Sequence, residues 1–229
     1  MPVKLIVALD FDDRAKAMAL VDKLDPNQCA LKVGSEMFTL FGTEFVRALV
    51  DRKFKVFLDL KFFDIPTTVG HACAAGAELG VWMINVHATG GLAMMQAARK
   101  ALEPYGSTRP LLIAVTVLTS MSLADFGHYE SVEKRVCELA LLAQEAALDG
   151  VVCSVLEVPA IKAMCGQDFL AVTPGIRFSS DKLDDQVRVS TPEFAIKSGS
   201  DFLVVGRSIT ASSDPQKIVR DLLMTLKPL

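Results

Sequence analysis

Asp59, Lys61 and Asp64 follow the apolar run Val56-Phe57-Leu58 and precede Ile65-Pro66, so three charges gather where a buried segment ends. If residues 55–60 form a strand, Asp59 and Lys61 lie two apart and point to the same face. Asp64 then starts a turn, and Pro66 keeps the strand from continuing. Two carboxylates would bracket one ammonium at the mouth of a buried strand. Charges placed there are costly unless they pair. Such a cluster has two uses. It can be a structural ion-pair network or part of a functional site, since both perturb pKa values. An isolated Asp-x-Lys does not decide between them.

The elements that must position the cluster are short and regular. Apolar runs at residues 3–9, 30–34, 55–60, 81–86, 111–118, 150–153, 169–172 and 201–205 read as strands buried on both faces. Helical spacing fills residues 12–24, 35–52, 67–79, 92–102, 132–148 and 158–164, a helix capped by Thr191-Pro192, and a last helix from Asp214-Pro215 to about 226. The helix at 67–79 carries Ala72, Ala74, Ala75, Gly76 and Ala77, which suits tight packing. Regular alternation implies right-handed parallel crossovers. Eight such units predict an α/β fold, a (β/α)8 TIM barrel forming one domain over residues 1–229. An open doubly wound sheet is the alternative. Its dinucleotide-binding form is weakened because the first turn, Leu9-Asp10-Phe11-Asp12, has no Gly-x-Gly-x-x-Gly.

In a barrel the active site forms at the C-terminal ends of the strands. Those ends carry Asp10, Lys32, Asp59 with Lys61, His87, Thr119, Ser154, Arg177 and Arg207. Stability charges scattered at random would not collect at one end of so many strands, which favours a functional cluster. Gly206-Arg207 after the eighth strand and Gly175-Ile176-Arg177 after the seventh suggest a phosphate site, since glycine admits close backbone approach and arginine offers a planar charged fork. Residues 178–189 are long for such a loop and rich in Ser and Asp, as in a lid or a plain surface loop, and Gln186 is the neutral amide there. His71 and His128 read as structural or exposed, and His87 stays open. No nucleophile elbow, P-loop or zinc spacing occurs.

Composition narrows the partners. The chain is 51% apolar with a net charge of -3 and no block of like charges, which argues against nucleic acid or a membrane surface. Five cysteines without Cys-x-x-Cys spacing fit buried free thiols in a reducing compartment, and the N-terminal residues lack a signal-peptide pattern. A cytoplasmic protein is expected.

Asp59-x-Lys61-x-x-Asp64-Ile65-Pro66-x-Thr68 resembles the signature of the orotidine 5'-phosphate decarboxylase family. The likeness extends along the chain through Ala8-Leu9-Asp10, Leu31-Lys32-Val33-Gly34, residues 115–120, Thr173-Pro174-Gly175-Ile176-Arg177, Asp185-Gln186 and Val204-Val205-Gly206-Arg207. Ser208 departs from it, where members often have proline. The resemblance implies a carboxy-lyase that takes CO2 from orotidine 5'-phosphate to give UMP, with neither metal nor organic cofactor. It implies Lys61, Asp59 and Asp64 as catalytic residues, with Lys61 protonating C6. It further implies that Asp10 and Lys32 hold the ribose, that Thr119 and Gln186 contact the substrate, and that Arg177, Gly206 and Arg207 grip the phosphate. Asp64 and Thr68 would reach into the partner's site of a homodimer. Two other readings remain: a magnesium-dependent hexulose-phosphate synthase on the same barrel, and a non-catalytic nucleotide- or sugar-phosphate-binding protein. Activity in chelator separates the first from the decarboxylase; binding without turnover identifies the second.

Overall fold

The computed structural model describes residues 4–126, 130–177 and 190–226. Eight parallel strands close into one barrel in chain order: β1 (Leu5–Ala8), β2 (Ala30–Gly34), β3 (Val56–Phe62), β4 (Met83–His87), β5 (Leu111–Val115), β6 (Gly150–Val152), β7 (Leu170–Thr173) and β8 (Phe202–Val205). The helices are α1 (Arg14–Val21), α2 (Ser35–Asp51), α3 (Pro66–Glu78), α4 (Leu92–Ala101), α5 (Val132–Glu145), α6 (Val158–Cys165), α7 (Pro192–Lys197), α8 (Arg207–Thr210) and α9 (Pro215–Thr225). The expected barrel is therefore the observed one.

The near-continuous apolar strands follow from burial on both faces. One set of side chains packs outward against the helices, including Leu5, Val7, Leu31, Leu58, Ile84 and Leu203. The alternate set fills the barrel itself: Ile6, Ala8, Ala30, Phe57, Met83, Ile113, Val172 and Val204. The small residues of α3 let it lie close on the sheet. A Cβ at Gly76 would stand 2.5 Å from Ile84 Cδ1, so alanine there would force the two apart. Side chains cap the helices as the spacing predicts, with Thr191 accepting from Phe194 N and Asp214 from Lys217 N.

Two differences from the sequence reading bear on the site. Strand β3 runs two residues beyond Leu60, and its register against β4 shifts between Leu58 and Phe62. The short helix α8 follows Gly206 directly; four residues carry too little periodicity to announce a helix. The segment at 178–189, read as a lid or a plain surface loop, Gln186 within it, and His128 lie outside the described residues. The stem of that segment is tied together, because Arg177 N donates to Ser190 O and Ser190 N to Gly175 O. Among the described residues no helix is long and apolar enough to cross a membrane.

Candidate active site

The inward positions change character two residues up strands β1 to β4. Ile6 and Ala8 are followed by Asp10, Ala30 by Lys32, Phe57 by Asp59 and Lys61, and Met83 by Asn85. The period of two carries these four strands from the apolar plug into a polar, mostly charged layer. A cavity of about 560 Å³ opens above that plug at the C-terminal mouth. Of the predicted residues, Asp10, Lys32, Asp59, Lys61, Thr119, Arg177, Gly206 and Arg207 all line it, over a floor that includes Ala8, Phe57, Val152 and Val204.

Four charges alternate across three strands. Asp10 Oδ1 meets Lys32 Nζ at 3.1 Å, Lys32 Nζ meets Asp59 Oδ2 at 3.3 Å, and Asp59 Oδ1 meets Lys61 Nζ at 2.7 Å. Burial alone would favour neutral forms here, but each inner charge has opposite charges on both sides. Burial raises the Asp59 pKa, yet Lys32 and Lys61, with hydrogen bonds from Lys61 and Asn85, outweigh it and hold the carboxyl below its usual range. Burial likewise lowers the Lys32 pKa, and Asp59 with Asp10 outweighs that, so the ammonium sits above its usual range. Both inner groups are therefore charged across the physiological range. Glycine at 34 makes room for the pair, since a Cβ there would stand 3.3 Å from Lys32 Nζ.

Lys61 does not sit on a regular strand. Its φ is 53°, the left-handed region, which costs a non-glycine residue about 1–2 kcal/mol. The β3–β4 ladder pairs Leu58 with Ile84 and then Phe62 with Val86, so β3 advances four residues while β4 advances two. Asn85 occupies the gap. Its Oδ1 accepts the Lys61 N–H at 2.7 Å, and its Nδ2 donates to Asp59 Oδ1 at 2.6 Å. Asp59 and Lys61 thus share the inner face as the spacing predicted, but through a bulge and not through an even pleat.

The expected bracketing of Lys61 by two carboxylates is not found within one chain. Asp64 is exposed, accepts the Ile65 N–H at 2.6 Å, and makes no ion pair with Lys61. Thr68 is exposed on α3, and neither residue lines the cavity. The chain turns outward after the bulge and carries Asp64 away from its own Lys61. Of the other strand ends, Ser154 is buried and caps the turn at Val155–Glu157. His87 packs edge-on against Phe63, with ring centres 6.2 Å apart, and hydrogen-bonds with Thr89 through Nδ1 at 2.7 Å. Burial, and then the nearby Lys61 charge, lower its pKa. Asn85 escaped the sequence reading. Its signal was there: an amide in an apolar strand, in phase with Met83 and His87.

A closed (β/α)8 barrel with a charged cavity at its C-terminal mouth defines a barrel enzyme. Residues 3–222 match the family described as "Orotidine 5'-phosphate decarboxylase / HUMPS family", and the chain belongs to it. A protein of Legionella pneumophila (strain Paris) named orotidine 5'-phosphate decarboxylase is 61% identical over 99% of this chain and 100% of its own. One of Vibrio cholerae with the same name is 55% identical over 97% of this chain and 98% of its own. The crystal structure of orotidine 5'-phosphate decarboxylase from Lactobacillus acidophilus superposes with a TM-score of 0.87 at 37% identity, covering 99% of this chain and all of that one.

Proposed function

We infer that this chain removes CO2 from orotidine 5'-phosphate to give UMP, the last step of de novo pyrimidine synthesis. The observation that carries the reading is the 2.7 Å pair of Lys61 Nζ and Asp59 in a cavity that also takes in Arg177 and Arg207. When the C6–carboxylate bond breaks, its electron pair stays on C6. Lys61 stands beside C6 as a fixed cation and delivers a proton to it, and solvent returns a proton to Lys61. One proton enters and one CO2 leaves. Charges already in place stabilise such a transition state without reorganising. Asp59 orients Lys61 and lies beside the substrate carboxylate. Asp10 and Lys32 hold the ribose hydroxyls, Thr119 contacts the substrate, and Gln186 acts from beyond the described residues. Arg177, Gly206 and Arg207 take the phosphate, and binding energy gained there lowers the barrier at C6.

Relatives named for this decarboxylase over nearly their full length support the reading, and the hexulose-phosphate synthase alternative is not favoured. Asp64 and Thr68 then serve the site of a second copy. Their exposure supports this, as do Phe63 and Ile65 beside them, 62% and 66% exposed, because large apolar neighbours of this kind are what a homodimer buries. The chain works as one barrel domain in the cytoplasm, on a small-molecule substrate and not on nucleic acid. Five buried free cysteines accord with that compartment.

The test is the ultraviolet absorbance change with orotidine 5'-phosphate, in chelator. Wild type turns the substrate over undiminished; absence of turnover overturns the reading, and a chelator-sensitive activity returns the synthase alternative. For the dimer, inactive Lys61→Ala and Asp64→Ala proteins are mixed under subunit exchange. Activity reappears if sites are shared, and none appears if each chain is complete.

A further inference from the structure

We propose that Asn85 is the positioning residue for the reacting lysine, holding the Lys61 backbone in its left-handed turn and one oxygen of Asp59 in line with the ammonium. The proposal rests on the reading of Lys61 as proton donor. Between the pairs Leu58–Ile84 and Phe62–Val86, strand β4 supplies one residue, Asn85, while β3 supplies Asp59, Leu60 and Lys61. In that stretch the Lys61 N–H finds the Asn85 Oδ1 at 2.7 Å in place of a backbone carbonyl. The same amide donates at 2.6 Å to Asp59 Oδ1, which also takes Lys61 Nζ at 2.7 Å. The contacts close a ring: amide to Lys61 backbone, Lys61 side chain to carboxylate, carboxylate back to amide.

The chemistry asks for an amide. One side chain must accept from a backbone N–H and donate to a carboxylate, and a primary amide does both in one plane. Leucine has the shape and neither function. An ionised carboxyl would accept from Lys61 N–H but set a second negative charge against Asp59. Asn85 is 0% exposed, so bulk water cannot take over its two bonds. Both bonds go to the charge chain, which sets Asn85 apart from buried polar groups that serve the fold. Among the described residues the Thr116 and Thr173 hydroxyls, for instance, bond to strand carbonyls, Val152 O and Phe202 O.

Asn85→Leu and Asn85→Asp, compared with wild type, test this through kcat, KM and UMP affinity across pH. With Asn85→Leu, kcat falls about a hundredfold, the scale set by small misplacement of a reacting group. UMP affinity changes only a few-fold, because the phosphate residues are untouched. With Asn85→Asp, the introduced carboxyl shares a proton with Asp59 as the pH drops. Protonated, it donates to Asp59 and accepts from Lys61 N–H as the amide does. The ratio of its kcat to that of wild type therefore climbs as pH falls, while the ratio for Asn85→Leu stays flat. Wild-type kcat in Asn85→Leu overturns the proposal, as does a UMP loss as large as the kcat loss, or a flat ratio for Asn85→Asp. If Asn85→Leu fails to fold, the Asn85→Asp ratio decides alone. If wild type does not decarboxylate orotidine 5'-phosphate, the reading of function falls separately. A crystal structure of Asn85→Leu then decides the positional half: Lys61 still left-handed, with Nζ on Asp59, overturns it.

Discussion

Both ends of the barrel carry ion pairs, and they are built to opposite rules. At the N-terminal mouth, Asp149 takes a two-pronged bond from Arg109 at 2.6 Å for each prong and also accepts from Leu112 N at 2.7 Å. Asp201 accepts from Lys162 Nζ and from Ala171 N, each at 2.7 Å. Lys162 spends its remaining donors on Gln167 O and Phe169 O, at 2.8 and 2.9 Å. All three ammonium protons of Lys162 have an acceptor, and each carboxylate is clasped to a strand. Trp82 and Phe202 meet edge-on nearby, with ring centres 5.2 Å apart. At the C-terminal mouth the chain of charges runs open-ended into a cavity. Among the described residues Lys61 Nζ has one hydrogen-bond partner, Asp59, and its side chain is 35% exposed. A closed ion pair fixes strands; an open one keeps donors in hand for something else.

That contrast can be broken by experiment. The largest effect is expected from Lys61→Ala. Its kcat drops by about 10⁴-fold, the upper range for loss of a positioned acid, while the urea midpoint moves little. A near-normal kcat would make the upper chain structural, like the lower one. Lys162→Met should do the reverse. Stability falls by about 3 kcal/mol, as when one partner of a buried pair is removed, and kcat stays at the wild-type level. Denaturant titration beside steady-state assay checks both halves, and a kcat loss without a stability loss would dissolve the distinction. Arg207→Ala comes next, with UMP binding weakened about thirtyfold by loss of a charged hydrogen bond and uridine binding nearly unchanged. Calorimetry on both ligands reads this; equal losses would remove phosphate from the upper mouth.

The smallest effect is on pH. Burial and Lys61 lower the His87 pKa in the folded state, so the unfolded chain takes up its proton first. Stability from this group is complete above the unfolded value of about 6.5 and is lost as pH falls from there towards the folded value. His87→Phe should flatten that slope between pH 7.5 and 5.5 in urea midpoints. An unchanged slope would mean that burial and Lys61 do not together lower the His87 pKa. Asp59, held low by Lys32 and Lys61, adds nothing in this window.

Much of this was legible in the residues. Alternating apolar runs and helical spacing give the barrel because strands buried on both faces leave that pattern. Position at a strand end is enough to bring Asp10, Lys32, Thr119, Arg177 and Arg207 to one cavity. What spacing could not tell was the path of the backbone within β3. A bulge depends on the neighbouring strand, 24 residues away at Asn85, and a local pattern carries no trace of it. The outward course of Asp64 was hidden for the same reason, since an even strand and turn would have left it near Lys61. His87 and Ser154 reach strand ends too, yet Phe63 and a capped turn hold them out of the cavity wall. Polar residue type alone does not separate these cases.

The bulge in β3 also sets the terms on which this site could be moved. Grafting Asp59 and Lys61 onto a regular strand of another barrel would copy the letters and lose the geometry, because an even pleat keeps φ negative at the lysine position. The portable unit is larger: the lengthened strand from Leu58 to Phe62, the neighbouring strand with an amide at the Asn85 position, and a glycine at the Gly34 position to admit the second lysine. Its parts lie far apart in the chain and side by side in the sheet, so a designer would have to transplant three adjacent strands together.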